Sequence, residues 1–254
     1  MQKKRLDMLL NFKNIIASRS QAQRMIMAGM VKVNGDRVYK PSQLFPISSK
    51  IEVIEKPPFV SRGGEKLQAA FEYFRIASLK DLICADVGAS TGGFTDCLLQ
   101  HEAKKVYAID VGYGQLHWQL RNNPRVIPME RTNARYIKKL PESINFITVD
   151  VSFISLKVLF PVLYNWFSNE GGNMITLIKP QFEAGRRISA KGKGVIRDVH
   201  IHHDVLVNVL MKAYEEGYGV VDIIPSPLRG PKGNTEFLAF LNYPKDEEKV
   251  IEDL

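Results

Sequence analysis

The 254-residue chain is 45% hydrophobic, carries two cysteines and has a formal net charge of +8 at pH 7, ordinary values for a soluble globular protein with room for one large and one small domain. Its most apolar stretch, 151–167, is interrupted by Lys157 and Pro161 and falls short of the roughly 20 uninterrupted residues a spanning helix needs. Cys84 and Cys97 have neither paired spacing nor a histidine cluster of zinc type, so they read as small core residues in a reducing compartment.

The N-terminal Met-Gln-Lys-Lys-Arg has no long apolar run behind it, so a signal peptide is not expected and the protein reads as cytoplasmic. The basic excess is local: residues 1–60 hold 11 Lys/Arg against 4 Asp/Glu, whereas the remainder holds 24 against 23. Such a concentration is the footprint expected for a polyanion, and at this step RNA, DNA and acidic lipid all remain open.

In the basic quarter, Leu6, Leu9, Leu10 and Ile16 stand at helical spacing, and Ser20 to Gln23 reads as a capping box opening a second helix that ends at Gly29. Residues 31–38 alternate about Asn34-Gly35, the strongest short hairpin signal, and a last strand is expected over 50–54. Arg5, Arg19, Arg24, Lys32 and Arg37 are the candidate RNA contacts on this frame, with a solvated basic face as the plainer alternative. The run Arg19-Ser-Gln-Ala-Gln-Arg24 followed by Val31-Lys-Val-Asn-Gly35 resembles the S4 RNA-binding domain over residues 1–56.

Lys56-Pro57-Pro58 marks a linker, expected over 57–65, because consecutive prolines neither continue a helix nor donate in a central strand. From 66 to 254 a second domain is expected, with helix 64–75 overlapping its start. Strand 82–87, helix 92–102, strands 106–110 and 145–150, helix 155–167, strand 173–179, helix 200–216 and strands 219–224 and 235–242 follow. The alternation predicts a doubly wound α/β fold with a mostly parallel seven-stranded sheet. Only about ten residues join the last two strands, too few for a helical crossover, so that pair is expected to be antiparallel.

Between the first strand of this domain and the next helix lies Asp86-Val-Gly-Ala-Ser-Thr-Gly-Gly-Phe94. Gly88, Gly92 and Gly93 suit a sharp turn beneath a ligand, while Ser90 replaces the second glycine of the dinucleotide fingerprint, the one that lets backbone close on pyrophosphate. The next strand ends in Asp110, near the interval at which a carboxylate meets ribose hydroxyls. A nucleoside without pyrophosphate points to S-adenosyl-L-methionine, with Asn133 a candidate for its adenine edge. Open α/β sheets bind ligands at the carboxyl ends of their strands, which directs attention to Asp150, Lys179 and the start of the final strand at Glu236, with Lys66 reaching the same rim.

Six ordered segments then carry a resemblance: Val60-Ser-Arg-Gly-Gly-Glu-Lys66, Asp86 to Thr95, Ile109-Asp-Val-Gly-Tyr-Gly-Gln-Leu116, Val149-Asp-Val-Ser-Phe-Ile-Ser-Leu156, Ile178-Lys-Pro-Gln-Phe-Glu183 and Gly230-Pro-Lys-Gly-Asn-Thr-Glu-Phe237. With the S4-like front they resemble the TlyA family, often labelled hemolysin A, across nearly the whole chain. The resemblance implies a class I methyltransferase fold and 2′-O-methylation of cytidine in ribosomal RNA, free or in a subunit. It further implies a core similar to FtsJ/RrmJ enzymes, whose Lys-Asp-Lys-Glu tetrad falls on Lys66, Asp150, Lys179 and Glu236. In that reading Lys179 is the base, Lys66 a second cation, Asp150 the partner of Lys179, and Glu236 the group orienting Lys66 or the ribose. The cofactor set is Asp86, Gly88, Ser90, Gly92, Gly93, Phe94, Asp110, Asn133 and Asp150. The chain's limits resemble the short subclass that acts on 23S rRNA alone, with 16S as the alternative.

Arg62 is a further RNA candidate, as are Arg186, Arg187, Lys191 and Lys193, whose glycine-interspersed run reads as a basic flap or as a solvated loop. His200 and His203 share a helical face but lack a carboxylate or thiol set, so no metal is expected. Pro57-Pro58-Phe59-Val60 stands where relatives commonly carry an Arg-x-Trp-Val linker. Two rival classes are a membrane-active hemolysin, disfavoured by the lack of a spanning segment, and a non-catalytic ribosome assembly factor, disfavoured by the intact motif residues. No protein partner is required by any of these readings.

Overall fold

The structure, a computed structural model, describes residues 3–54 and 58–245 and divides into two compact units between Pro58 and Phe59. Pro57, the first residue of the expected linker, lies outside the described residues, as does Lys56 before it.

The first unit runs β1 (Lys3–Arg5), α1 (Leu6–Phe12), α2 (Arg19–Met27), β2 (Val31–Val33), β3 (Asp36–Arg37), β4 (Leu44–Pro46) and β5 (Ile51–Val53). Leu6, Leu10, Ile16, Ala22 and Ile26 close over Val31, Val33 and Val38 to form its core. The Asn34-Gly35 turn has both residues at positive φ, 52° and 92°, as a two-residue hairpin between right-twisting strands requires. β2 is the centre of a three-stranded sheet in the order β3-β2-β5, and β1 pairs with β4 in a separate antiparallel ribbon.

The α2 cap differs from expectation. Ser18, not Ser20, accepts from the Gln21 N–H, while Gln23 instead donates 2.8 Å to Asp7 Oδ2. Asp7 is buried and also takes a two-pronged contact from Arg5 and a 3.0 Å bond from Arg19 Nε. The Arg5 guanidinium is the main reason that the Asp7 carboxyl sits well below the usual carboxylate range.

The second unit comprises α3 (Arg62–Tyr73), β6 (Ile83–Val87), α4 (Gly93–Gln100), β7 (Lys105–Ile109), α5 (Trp118–Arg121), β8 (Val126–Met129), β9 (Phe146–Val149), α6 (Phe160–Leu163), β10 (Gly172–Ile178), α7 (Pro180–Glu183), α8 (Arg186–Lys191), α9 (Val199–Glu215), β11 (Gly219–Pro225) and β12 (Phe237–Tyr243). Residues 59–65, expected as linker, already belong to it. Phe59 is buried against Gly64, where a Cβ would collide with its ring, and α3 has begun by Arg62.

The seven strands lie in the order β11-β12-β10-β9-β6-β7-β8, parallel except for β12, which runs antiparallel to both neighbours. Apolar layers cover both faces, one containing Ile147, Val149, Phe160 and Leu210, the other Leu67, Phe71, Leu98 and Ile175, as a doubly wound sheet demands. The helix expected over 155–167 is broken into 3-10 turns at Leu156–Val158 and Tyr164–Trp166 around α6. Pro161 accounts for the break, since it has no N–H for a carbonyl one turn back and fits only the first turn of a new helix. β8 contains Pro128 and is an edge strand, the position where a missing ladder donor costs least.

Candidate active site

β6 delivers the chain into the glycine-rich turn, where Gly88, Ser90 and Gly92 have φ of 86°, 49° and 96°. Gly88 N and Ala89 N both donate to Ile109 O, and a Cβ on Gly88 would collide with the Asp150 carbonyl oxygen. The turn is therefore pressed between the ends of β7 and β9, and glycine at 88 answers both the backbone conformation and the close approach. Gly92 faces away from the cavities, where its missing Cβ makes room for Leu116 and Leu120.

Two adjoining cavities open at this edge, of about 780 Å3 and about 530 Å3, sharing Gly88, Ser90, Asp150, Ser152 and Phe153 as common wall. Asp110 and Asn133 line the smaller one together with Val111, Ala134, Ile154 and Leu159. The Asp110 carboxylate accepts 2.8 Å from Ser90 N on one oxygen and 2.7 Å from Gly112 N on the other, which orients it and leaves lone pairs on both oxygens for further donors. Gly93, Phe94 and Arg62 line the larger cavity.

Asp86 lines neither cavity. Its fully buried carboxyl accepts from Thr95 Oγ1 at 2.6 Å and from Thr148 Oγ1 at 3.1 Å, and burial pushes it up to about 7 against the pull of those hydroxyls. The side chain ties β6 to α4 and β9 beneath the turn, so its placement is structural where a cofactor contact was expected.

Lys66, Asp150, Lys179 and Glu236 all line the larger cavity. They arrive from four elements: Lys66 from α3, Asp150 just after β9, Lys179 just after β10 and Glu236 just before β12. The antiparallel ladder pairs Ile178 with Phe237, so the next residue out on each strand, Lys179 and Glu236, emerges at one edge. Lys179 Nζ lies 2.5 Å from Asp150 Oδ1 and donates 3.1 Å to Ser152 Oγ, while Lys66 Nζ donates 2.6 Å to Glu236 Oε2. Each ammonium thus has its own carboxylate.

Further contacts fix these pairs. Gln181 Nε2 donates 3.2 Å to Glu236 Oε1, and Gly230 passes so close to that carboxylate that no Cβ would fit. Glu183 accepts 2.6 Å from Ser155 Oγ and 2.7 Å from Leu156 N, strapping the loop that follows Asp150 to the helix that follows Lys179. Burial holds its carboxyl above the usual range, with those donors acting in the opposite direction. Phe153, at φ 65° and 90% exposed, stands on the strapped loop 4.9 Å from the Phe182 ring.

The basic run expected as a flap or a loop contains α8, entered from Gly185 at φ 82°. Ser189 and Gly194 line the larger cavity, and Asn234 holds the end of the run by accepting from Ile196 N and donating to Gly194 O. Arg187 and Lys193 are on this segment, and the side chains of Arg186 and Lys191 lie outside the described residues. In the first unit, Arg5 and Arg19 are committed to Asp7 and Arg37 donates to Gly29 O, whereas Arg24 is exposed and Lys32 half-buried. Among the described residues no group of three or more His, Cys, Asp or Glu is arranged to hold a metal ion, and no helix is long and apolar enough to cross a membrane.

A family model described as FtsJ-like methyltransferase matches residues 59–243, and one described as S4 domain matches residues 4–48. The chain belongs to the FtsJ-like methyltransferase family. Hemolysin A of Brachyspira hyodysenteriae is 45% identical over 238 residues, which span 92% of this chain and 98% of that one. The 16S/23S rRNA (cytidine-2′-O)-methyltransferase TlyA of Mycobacterium tuberculosis is 40% identical over 258 residues, spanning 98% of this chain and 94% of that one. A solved structure of a hemolysin-named protein from Streptococcus thermophilus superposes with a TM-score of 0.74 at 42% identity, covering 97% of this chain and 90% of that one.

In this FtsJ-like domain several cavity residues, most of them within the motif segments quoted above, have no role assigned to them by the sequence. Gln181, Ser152, Phe153, Arg229 and Lys232 all line the larger cavity. Gln181 follows Lys179 by two residues across Pro180, and a proline that starts a new helical turn beside a candidate lysine is the signal that could have drawn attention to it. Phe153 carries no such signal, because nothing in the sequence marks an aromatic residue for a left-handed conformation.

Proposed function

We propose that the chain transfers a methyl group from S-adenosyl-L-methionine to the 2′-hydroxyl of a cytidine in ribosomal RNA, with 23S rRNA favoured and the reaction in the cytoplasm. One observation carries the reading: two lysine–carboxylate pairs share a cavity that adjoins a second one lined by an oriented aspartate.

The residues fit this cofactor. The space kept clear at Gly88, the oriented Asp110 carboxylate and the apolar side chains of Val111, Ile154 and Leu159 suit a nucleoside with an uncharged ring and a ribose diol. Asp110 would hold the ribose hydroxyls, Asn133 the adenine edge, and Gly88, Ser90, Gly93 and Phe94 the amino-acid arm. When bound, the cofactor supplies a methyl group on a cationic sulfur, already an electrophile with a good leaving group.

What remains for the protein is a poor nucleophile. A ribose hydroxyl must be aligned and must lose its proton, and alignment alone is worth up to roughly 7–11 kcal/mol. Lys179 in its neutral form takes that proton, and Asp150 and Ser152, already in contact with its Nζ, stabilise the ammonium so formed. Lys66, fixed by Glu236, places a second positive charge by the oxygen as negative charge develops there. Arg62, Arg187, Lys193, Arg229 and Lys232 supply phosphate contacts for the incoming strand, and Arg24 and Lys32 do so on the S4 unit.

Replacing Asp110 with alanine is expected to weaken S-adenosyl-L-methionine binding by about tenfold or more in calorimetry, the scale of one or two lost charge-assisted hydrogen bonds. Unchanged affinity would move the ribose elsewhere. The reading as a whole is tested by incubating the protein with tritiated-methyl cofactor and ribosomal RNA, free and in subunits, from a strain lacking the gene. Mass-spectrometric mapping of both rRNAs then locates the ribose methyl group. Incorporation at a cytidine 2′-oxygen supports the proposal, and none in any of these substrates overturns it.

A further inference from the structure

Glu236 is the most enclosed ionic group of the site: its side chain has no exposure, and its two oxygens meet different donors. Lys66 takes Oε2, and the Gln181 amide takes Oε1. An ionised carboxylate only accepts hydrogen bonds, so the amide must turn its NH2 toward Glu236 and its oxygen away. That oxygen is buried and finds no partner, an arrangement that costs free energy and persists because reversing the amide would set oxygen against carboxylate.

We infer that Gln181 is a positioning residue of the methyl-transfer site. By holding Oε1 it fixes the plane of the Glu236 carboxylate, and through Oε2 it fixes where Lys66 presents its ammonium to the cavity. The inference rests on the methyl-transfer reading above. Gln181 is 8% exposed and belongs to α7, whose N-cap is Lys179, so one short turn of helix serves both ion pairs.

Two variants separate this role from packing. Gln181→Met keeps length and volume but cannot donate. Its single-turnover methyl transfer is expected to fall by about ten- to a hundredfold, the scale of a misplaced catalytic group, with cofactor affinity near that of the wild type and a modest fall in melting temperature, because one oxygen of the buried Glu236 carboxylate loses its donor. Gln181→Glu places a second carboxyl against Glu236, in a cavity that also contains Lys66, Asp150, Lys179, Arg62, Arg229 and Lys232. Deprotonated, it repels Glu236; protonated, it donates as the amide did. The rate of Gln181→Glu relative to wild type should therefore rise as pH falls, a profile that a packing role would not produce.

Equal rates for wild type and Gln181→Met overturn the inference. A variant-to-wild-type ratio for Gln181→Glu that does not rise as pH falls also overturns it, and decides alone if Gln181→Met does not fold. Absence of transfer by the wild type, run alongside, strikes the methyl-transfer reading instead, so the two failures are told apart.

Discussion

Lys179→Ala is expected to reduce methyl transfer by about 10²–10⁴-fold, the range set by loss of a general base, while cofactor affinity and melting temperature stay close to those of the wild type. Nζ spans the gap between Asp150 Oδ1 and Ser152 Oγ, and no other described lysine makes an ion pair with that carboxylate. Fold should survive because Asp150 is partly open, its side chain 23% exposed, so water can solvate the carboxylate that truncation leaves behind. The check is single-turnover incorporation of labelled methyl beside calorimetric cofactor binding. Turnover near the wild-type rate would remove Lys179 from the chemistry, and lost cofactor binding would recast it as part of the cofactor site.

Lys66→Ala should behave differently, because the side chain of its partner has no exposure of its own. The Glu236 side chain is wholly buried and that of Lys66 only 12% exposed. Deleting the lysine strands a carboxylate whose other donor is the Gln181 amide. Breaking a buried pair from one side costs about 3–5 kcal/mol. At the lower end of that range, a domain of this size loses roughly 6–12 °C of melting temperature, along with activity. Glu236→Gln should cost much less stability, since a neutral amide can still accept from Lys66 and the lysine lies nearer to water. Denaturant unfolding of both variants and of the double mutant tests the asymmetry: equal losses for the two single changes would contradict it.

Much of this arrangement is legible in the amino-acid order because short-range rules carry it. Asn34-Gly35 announces its hairpin by conformational demand alone, and the short connector before Glu236 forces β12 to run antiparallel to β11. Less local features escape. Ser18 and Ser20 are equally good caps on paper, and the choice falls to Ser18 while Gln23 is drawn to Asp7, a contact 16 residues away. Pro161 lies in a run apolar enough to read as one helix, yet its missing N–H divides it. Asp86 looks like a ligand residue beside the glycines, but two threonines from separate elements enclose it. Gln181 is chosen by an acceptor 55 residues further along, which no local pattern records.

The β10–β12 ladder sets the position of Glu236 through seven residue pairs and not through the connector that precedes it. A slip of that ladder by a single residue reverses which face each β12 side chain occupies. The result would be an apolar group at the mouth and a charge in the packed interior.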